Sequence, residues 1–295
     1  MTTAPQALTG DLRTRAEALG QTLPPLLAEA EMLASTVMMG EHGRRRAGLG
    51  DEFWQYRQAQ AGDSARMIDW RRSARSDAHF VREREWQAAQ SVTIWVDPAK
   101  SMLFTGDKSR AAKSDRAKLL GLALAVLLLR GGERVGLAGL AAPRAGRAQL
   151  LRLASRLSGE EVGEDYGAPE TEGMVSHGRG VFLSDFLGDL GGIEAGLARA
   201  ADRGVKGVLI QVLDPAEEEF PFDGRTIFES MGGTMRHETQ RAGDLRSRYL
   251  ARLAERKDRL AQLSRAVGWH FSTHHTGAPA QSALLWAYAA LEGGR

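Results

Sequence analysis

Three carboxylates stand where a parallel sheet would present them to a ligand. The apolar run SVTIWV (91–96) stops at Asp97, GVFLS (180–184) stops at Asp185, and KGVLIQVL (206–213) stops at Asp214. Open parallel sheets bind ligands outside the carboxyl ends of their strands. Aspartates in that place suit magnesium, a hard cation that takes one or two carboxylates and keeps several waters. Behind Asp97, Ala99 and Ser101 occupy alternate positions. The plainer role for each Asp is to turn the chain and cap the next helix, and Asp214, inside LDPAEEEFPFDG, reads as part of a turn-rich connection.

Two enzyme chemistries can be weighed on these residues. A phosphoryl-transfer enzyme with a strand-end Asp nucleophile wants a second acid two residues on, and Ala99 cannot protonate a leaving group. A magnesium-dependent hydrolase or nuclease would gather Asp97, Asp185 and Asp214 around paired metals. It would also need a base or nucleophile close by, and the sequence offers no convincing one. That enzyme is the alternative to a binding role.

The elements that must position these residues alternate. After the strand at 91–96 comes a helix over 109–130, stopped by Gly131 and Gly132. A strand over 134–142, a helix over 148–159 and an acidic, Gly-containing loop over 160–178 follow. The strand at 180–184, a helix over 190–203 and the strand at 206–213 come next. The chain closes with a long helix over 240–266, a strand over 268–273 and a last helix. Strands alternating with helices imply a mostly parallel sheet covered on both faces, hence an α/β, doubly wound, Rossmann-like layer. Neither a GxGxxG after the first strand nor a GxxxxGK[ST] is present, which argues against dinucleotide binding and a P-loop ATPase.

Residues 1–88 read differently. Helix is expected over 11–38, with the prolines at 24 and 25 marking a break or a fresh start. From residue 40 to 86 the chain carries ten Arg, eight acids, three Trp and no Lys. Interleaved Arg and aromatics can bind nucleic acid, but acids that nearly balance the arginines favour a semi-buried structural or partner-docking network. Trp54, Tyr56, Arg57, Asp69, Trp70, Arg71, Arg75, Glu83 and Arg84 are its candidate members. Trp70 and Arg71 are expected to be at least partly buried against the α/β domain of residues 89–295.

Composition excludes more than it selects. With no cysteine in 295 residues, disulfides and thiolate metal sites are out. A net charge of +2 demands no nucleic-acid partner. The longest apolar run, 119–129, is too short to span a bilayer, so a cytoplasmic protein is expected, with peripheral membrane association left to the Arg-rich 240–266 helix. His270 and His274 have the spacing of a helical zinc pair, but on a strand they stand about 13 Å apart.

The strand-plus-DxSxS pattern with a later strand ending in Asp resembles a von Willebrand factor A domain, where it forms a metal-ion-dependent adhesion site. More specifically, the chain resembles the bacterial family called domain of unknown function fifty-eight. The resemblance rests on GLGDEFWQYRQAQAGDSARMIDWRRSARSDAHFVREREW (48–86), followed by WVDPAKSM, RVGL, LSDF and VLDPAEEEFPF. It implies that Asp97 and Ser101 match the first carboxylate and second hydroxyl of the adhesion motif, that Asp185 matches the later carboxylate, and that Ala99 stands where a hydroxyl belongs. Thr171 is the candidate threonine by location only. The resemblance therefore implies a weakened or vestigial site, with magnesium bound poorly if at all. It further implies a non-catalytic protein-binding module acting with a MoxR-type AAA+ ATPase in a chaperone-like or assembly role.

Overall fold

In the computed structural model, residues 25–41, 53–59, 68–74, 78–84, 89–159 and 163–292 are described. They fall into two compact units, one made of the chain up to Gly40 together with Gln90 onward, the other of Glu41–Ala89.

The larger unit is built on a six-stranded sheet. Its strands are β3 (Ser91–Val96), β4 (Arg134–Leu137), β5 (Ala141–Arg144), β6 (Arg179–Ser184), β7 (Lys206–Leu213) and β10 (His270–His275), in the order β10-β7-β6-β3-β4-β5. All neighbours run parallel except the edge strand β5, which is antiparallel to β4. One strand was expected over 134–142. The chain instead turns at Gly139, whose φ of +66° suits a residue without a side chain, and folds back as β5.

Burial on both faces explains why these strands read as continuous apolar runs. Along β3, Val92 and Ile94 point to one side, where they join Val181, Leu183, Val208 and Ile210 under helices α3 (Lys113–Arg130) and α4 (Arg147–Leu157). Trp95 points to the other side and packs with Phe182, Leu209 and Trp269 under α5 (Leu190–Asp202) and α7 (Arg246–Ala266). The closing helix α8 (Ala280–Glu292) adds Leu284, Ala287 and Leu291 to the first side.

Helix α1 (Pro25–Glu41) also belongs to this unit rather than to the Arg/Trp-rich segment. Pro25 begins it, the position where a missing N–H costs nothing. Leu27, Ala30, Ala34 and Val37, spaced three, four and three apart, make the stripe that enters the first core.

Two elements had no clear sequence signal. A short helix α6 (Pro215–Glu219) follows β7, and an antiparallel hairpin, β8 (Thr226–Glu229) with β9 (Arg236–Thr239), precedes α7. Among the described residues, no helix is long and apolar enough to cross a membrane.

The smaller unit is an antiparallel ribbon of β1 (Phe53–Gln58) and β2 (Phe80–Arg84) with a four-residue helix α2 (Trp70–Ser73). Trp54, Tyr56 and Arg57 lie on β1, and Glu83 and Arg84 on β2; Arg75 lies outside the described residues. Ser73 ties the unit together, since its hydroxyl donates to the Asp69 carbonyl at 2.8 Å and accepts from the Phe80 N–H at 2.9 Å. Within this unit the Trp70 ring stands edge-on to His79.

Candidate functional site at the strand ends

The order of the strands fixes where a site can form. From β3 the chain moves outward to β4 and β5, then returns to β6 on the other side of β3. Outside the carboxyl ends of β3 and β6 the connections diverge, leaving the crevice that open α/β sheets use for ligands. Asp97 and Asp185 sit at that point, and Asp214 ends the adjacent strand β7. All three are almost completely buried.

Each carboxylate is already engaged by the protein. Asp97 Oδ1 accepts from the Ala99 N–H at 2.9 Å, and Oδ2 accepts from the Ser184 hydroxyl at 2.5 Å. Asp185 Oδ1 accepts from the Leu187 N–H at 3.0 Å, and Oδ2 accepts from the Lys113 ammonium at 2.9 Å. Asp214 caps α6 through the Ala216 N–H at 2.8 Å and accepts from the Thr276 hydroxyl at 3.2 Å. It is the capping role that a strand-end Asp most often fills, here in a full capping box with Glu217.

Lys113 is the centre of this network. It opens α3, is 1 % exposed, and reaches Glu217 Oε1 at 2.6 Å as well as Asp185. The Phe104 ring lies under its ammonium at 5.5 Å. Burial works against the charged form, but Asp185 and Glu217 outweigh it and hold the lysine's pKa above its ordinary value. Burial likewise raises Glu217, against the pull of Lys113. Asp97 is pushed up to about 6, first by burial and further by the Asp185 charge, while Ser184 and Ala99 hold it down in part.

The crevice is also covered. The Glu164 and Asp165 carbonyls accept from the Lys100 and Ser101 N–H groups at 2.9 Å, and the Gly163 N–H donates to the Pro98 carbonyl. Gly167 then lies against Asp97 so closely that an added Cβ would stand 2.0 Å from Oδ1. A second layer follows, because Asp165 Oδ2 accepts from the hydroxyls of Ser230 and Thr234 in the β8–β9 turn.

The residues present do not fit a divalent cation. Ala99 supplies a methyl group, both oxygens of Asp97 and of Asp185 have protein donors, and an ammonium already neutralises Asp185. The buried Ser101 hydroxyl, without a hydrogen-bond partner, is the one adhesion-type oxygen left over. The Thr171 carbonyl accepts from Arg203, which follows α5. No cluster of three or more His, Asp or Glu suited to a metal occurs among the described residues. At the end of β10, His274 Nε2 lies 3.1 Å from the Arg116 guanidinium, and burial with that cation pushes its pKa down to about 4.

The sequence profile of the family described as Protein of unknown function DUF58 matches residues 55–259. The chain belongs to the DUF58 family. Relatives of this DUF58 protein include uncharacterized protein Rv1480 of Mycobacterium tuberculosis H37Rv and uncharacterized protein Mb1516 of Mycobacterium bovis. Each is 28% identical over 244 residues, covering 76% of this chain and 74% of the relative. Among solved structures, the conserved hypothetical protein BatB from Bacteroides thetaiotaomicron aligns with a TM-score of 0.40 and 16% identity, over 70% of this chain and 100% of that one. An aerotolerance-related membrane protein from Bacteroides fragilis gives 0.40 and 15% over the same shares.

Sequence reasoning found Asp97, Asp185 and Asp214 but missed what occupies them in this DUF58 chain, namely Lys113, Glu217, Ser184 and Gly167. No local signal singled out Lys113, which opens α3 in the polar run KSDRAK beside Arg116 and Lys118. The closeness of Gly167 to Asp97 gives a direct check. Gly167→Ala forces either the loop or the pinned carboxylate to move, so urea unfolding should show a loss of ~1–3 kcal/mol, the usual range for overpacking. An unchanged midpoint would mean that the 163–167 segment does not close on Asp97.

Proposed function

We propose that this DUF58 chain is a non-catalytic protein-binding module of von Willebrand factor A type, working in the cytoplasm with a MoxR-type AAA+ ATPase in a chaperone-like or assembly role. One observation carries the non-catalytic half of the reading. All six carboxylate oxygens at the ends of β3, β6 and β7 are held by the protein's own donors. A general base or nucleophile must be free to reach a substrate atom, and these groups are spent on holding loops in place.

Support for a binding role comes from the surface above the crevice. The β8–β9 hairpin, fastened to the covering loop through Asp165, carries exposed Ile227, Met231 and Met235, and Leu103 is exposed beside the Asp97 loop. Contiguous exposed apolar surface is a mark of interaction sites. The ATPase as partner rests on the family resemblance.

The test is association of the purified chain with the MoxR-type ATPase of the same host. The reading expects a complex whose formation depends on the nucleotide state of the ATPase and weakens when Met231 and Met235 are replaced by Asp. Failure to associate in any nucleotide state would remove the ATPase from the proposal. Separately, phosphatase or nuclease turnover abolished by Asp97→Ala with folding intact would transfer the chain to the hydrolases.

A further inference from the structure

A parallel sheet that ends three adjacent strands in Asp concentrates negative charge in a place shielded from water. Such carboxylates need a cation, a proton or a set of donors, because an uncompensated buried charge is expensive. Here Asp97 relies on hydrogen bonds and a raised affinity for its proton, and Asp214 on a helix cap and a hydroxyl. The pair Asp185 and Glu217 has Lys113, whose ammonium lies 2.9 Å from one and 2.6 Å from the other.

We propose that Lys113 is a built-in cation that makes the strand-end crevice independent of divalent ions, and that removing its ammonium turns the crevice into a divalent-cation site. The ammonium bridges carboxylates from the ends of two different strands, one after β6 and one in the helix after β7. A magnesium or manganese ion would do the same with the same oxygens. The two kinds of cation are therefore alternatives for one position, and the covalently attached one holds it. Its attachment is also sound, since Lys113 begins a helix whose residues 119–128 are all buried, and its own side chain is 1 % exposed.

A metal site of reduced strength, as the resemblance implied, would still respond to added magnesium. A site closed by Lys113 would not. The inference rests on the crevice geometry and not on the ATPase, so a failed association leaves it standing. Conversely, a metal-dependent wild type would leave the partner reading untouched.

The experiment uses the full chain and the ions themselves. Thermal melts of the wild type are compared in millimolar magnesium or manganese chloride and in sodium chloride of equal ionic strength, and manganese binding is measured by calorimetry. The wild type is expected to show no shift beyond the salt control. Lys113→Ala and Lys113→Gln should melt lower, regain part of the loss with the divalent ions, and bind manganese ~10-fold or more tightly than the wild type, because carboxylates without a counter-charge are good ligands for a hard cation. Lys113→Met supplies an apolar side chain of similar length that fills the space, and should lose stability without recovering it in metal. If Lys113→Ala does not fold at all, Lys113→Gln, which keeps the shape and one donor group, decides. A wild type stabilised by divalent ions, with the effect lost in Asp185→Asn, would overturn the proposal. So would folded Lys113→Ala or Lys113→Gln proteins that ignore both ions.

Discussion

Asp185→Ala is expected to remove ~3–5 kcal/mol of stability at neutral pH, the range found when one partner of a buried ion pair is deleted. Three losses coincide. The Lys113 ammonium keeps only Glu217 at 2.6 Å, in a place where it is 1 % exposed. The Leu187 N–H loses its acceptor. The turn after β6 loses the side chain that holds it, although the following residue, Phe186, sits there with φ of +50°, a conformation that bulky residues avoid. Asp185→Asn keeps the shape and one acceptor oxygen but not the charge, so it should fall between the wild type and Asp185→Ala. Urea unfolding of the three proteins orders them. A loss of less than ~1 kcal/mol for Asp185→Ala, the size of a surface ion pair, would show that Lys113 finds water or another partner.

Asp97→Asn should act in the opposite direction and should do so only above acidic pH. In the unfolded chain this carboxyl gives up its proton near its ordinary value of 3.8, whereas in the folded chain it holds on until about 6. Between those two values the folded state binds more protons, so each rise in pH weakens it. Above the folded value both states are ionised and the full penalty is present, on the order of 3 kcal/mol at 1.36 kcal/mol per unit. Asparagine carries no such penalty. It can still accept from the Ala99 N–H, and its amide can donate to the Ser184 hydroxyl, which already accepts from the Phe186 N–H. The variant and the wild type should therefore be close in stability near about pH 4, and the variant should lead by up to ~3 kcal/mol by about pH 7. Equal stabilities across the whole range would mean that Asp97 ionises normally in the folded protein.

Much of the fold was legible because fully buried parallel strands leave long apolar runs. SVTIWV, the run before Asp185 and KGVLIQVL each coincide with a strand to within a residue, and the alternating helices then force the layered arrangement. The stretch 134–142 misled because Leu137 and Ala141 are apolar on both sides of a glycine turn, and an apolar run does not reveal where it doubles back. The hairpin at 226–239 escaped for the opposite reason, since its strands are four residues long and half exposed. At the site, the strand-end carboxylates could be read from local pattern alone. Their partners could not. Lys113 and Glu217 lie 104 residues apart, and only the sheet order brings them together. The covering glycine, Gly167, is one of 34 in the chain, and its neighbour Asp97 is 70 positions away, so its need to be small is invisible until the loop is seen against the carboxylate.

The sealing of Lys113 also bears on time and reactivity. An amine reacts with acylating agents as the free base and only where the reagent can reach it. Lys113 offers neither condition, being buried and held in its charged form, whereas none of the other five lysines is buried. Any cellular acetylation would therefore mark the surface lysines and spare this one for as long as the crevice stays shut. The rate at which Lys113 does acquire a label becomes a clock for how often the crevice opens, a record kept by the molecule itself at the point where its strands end.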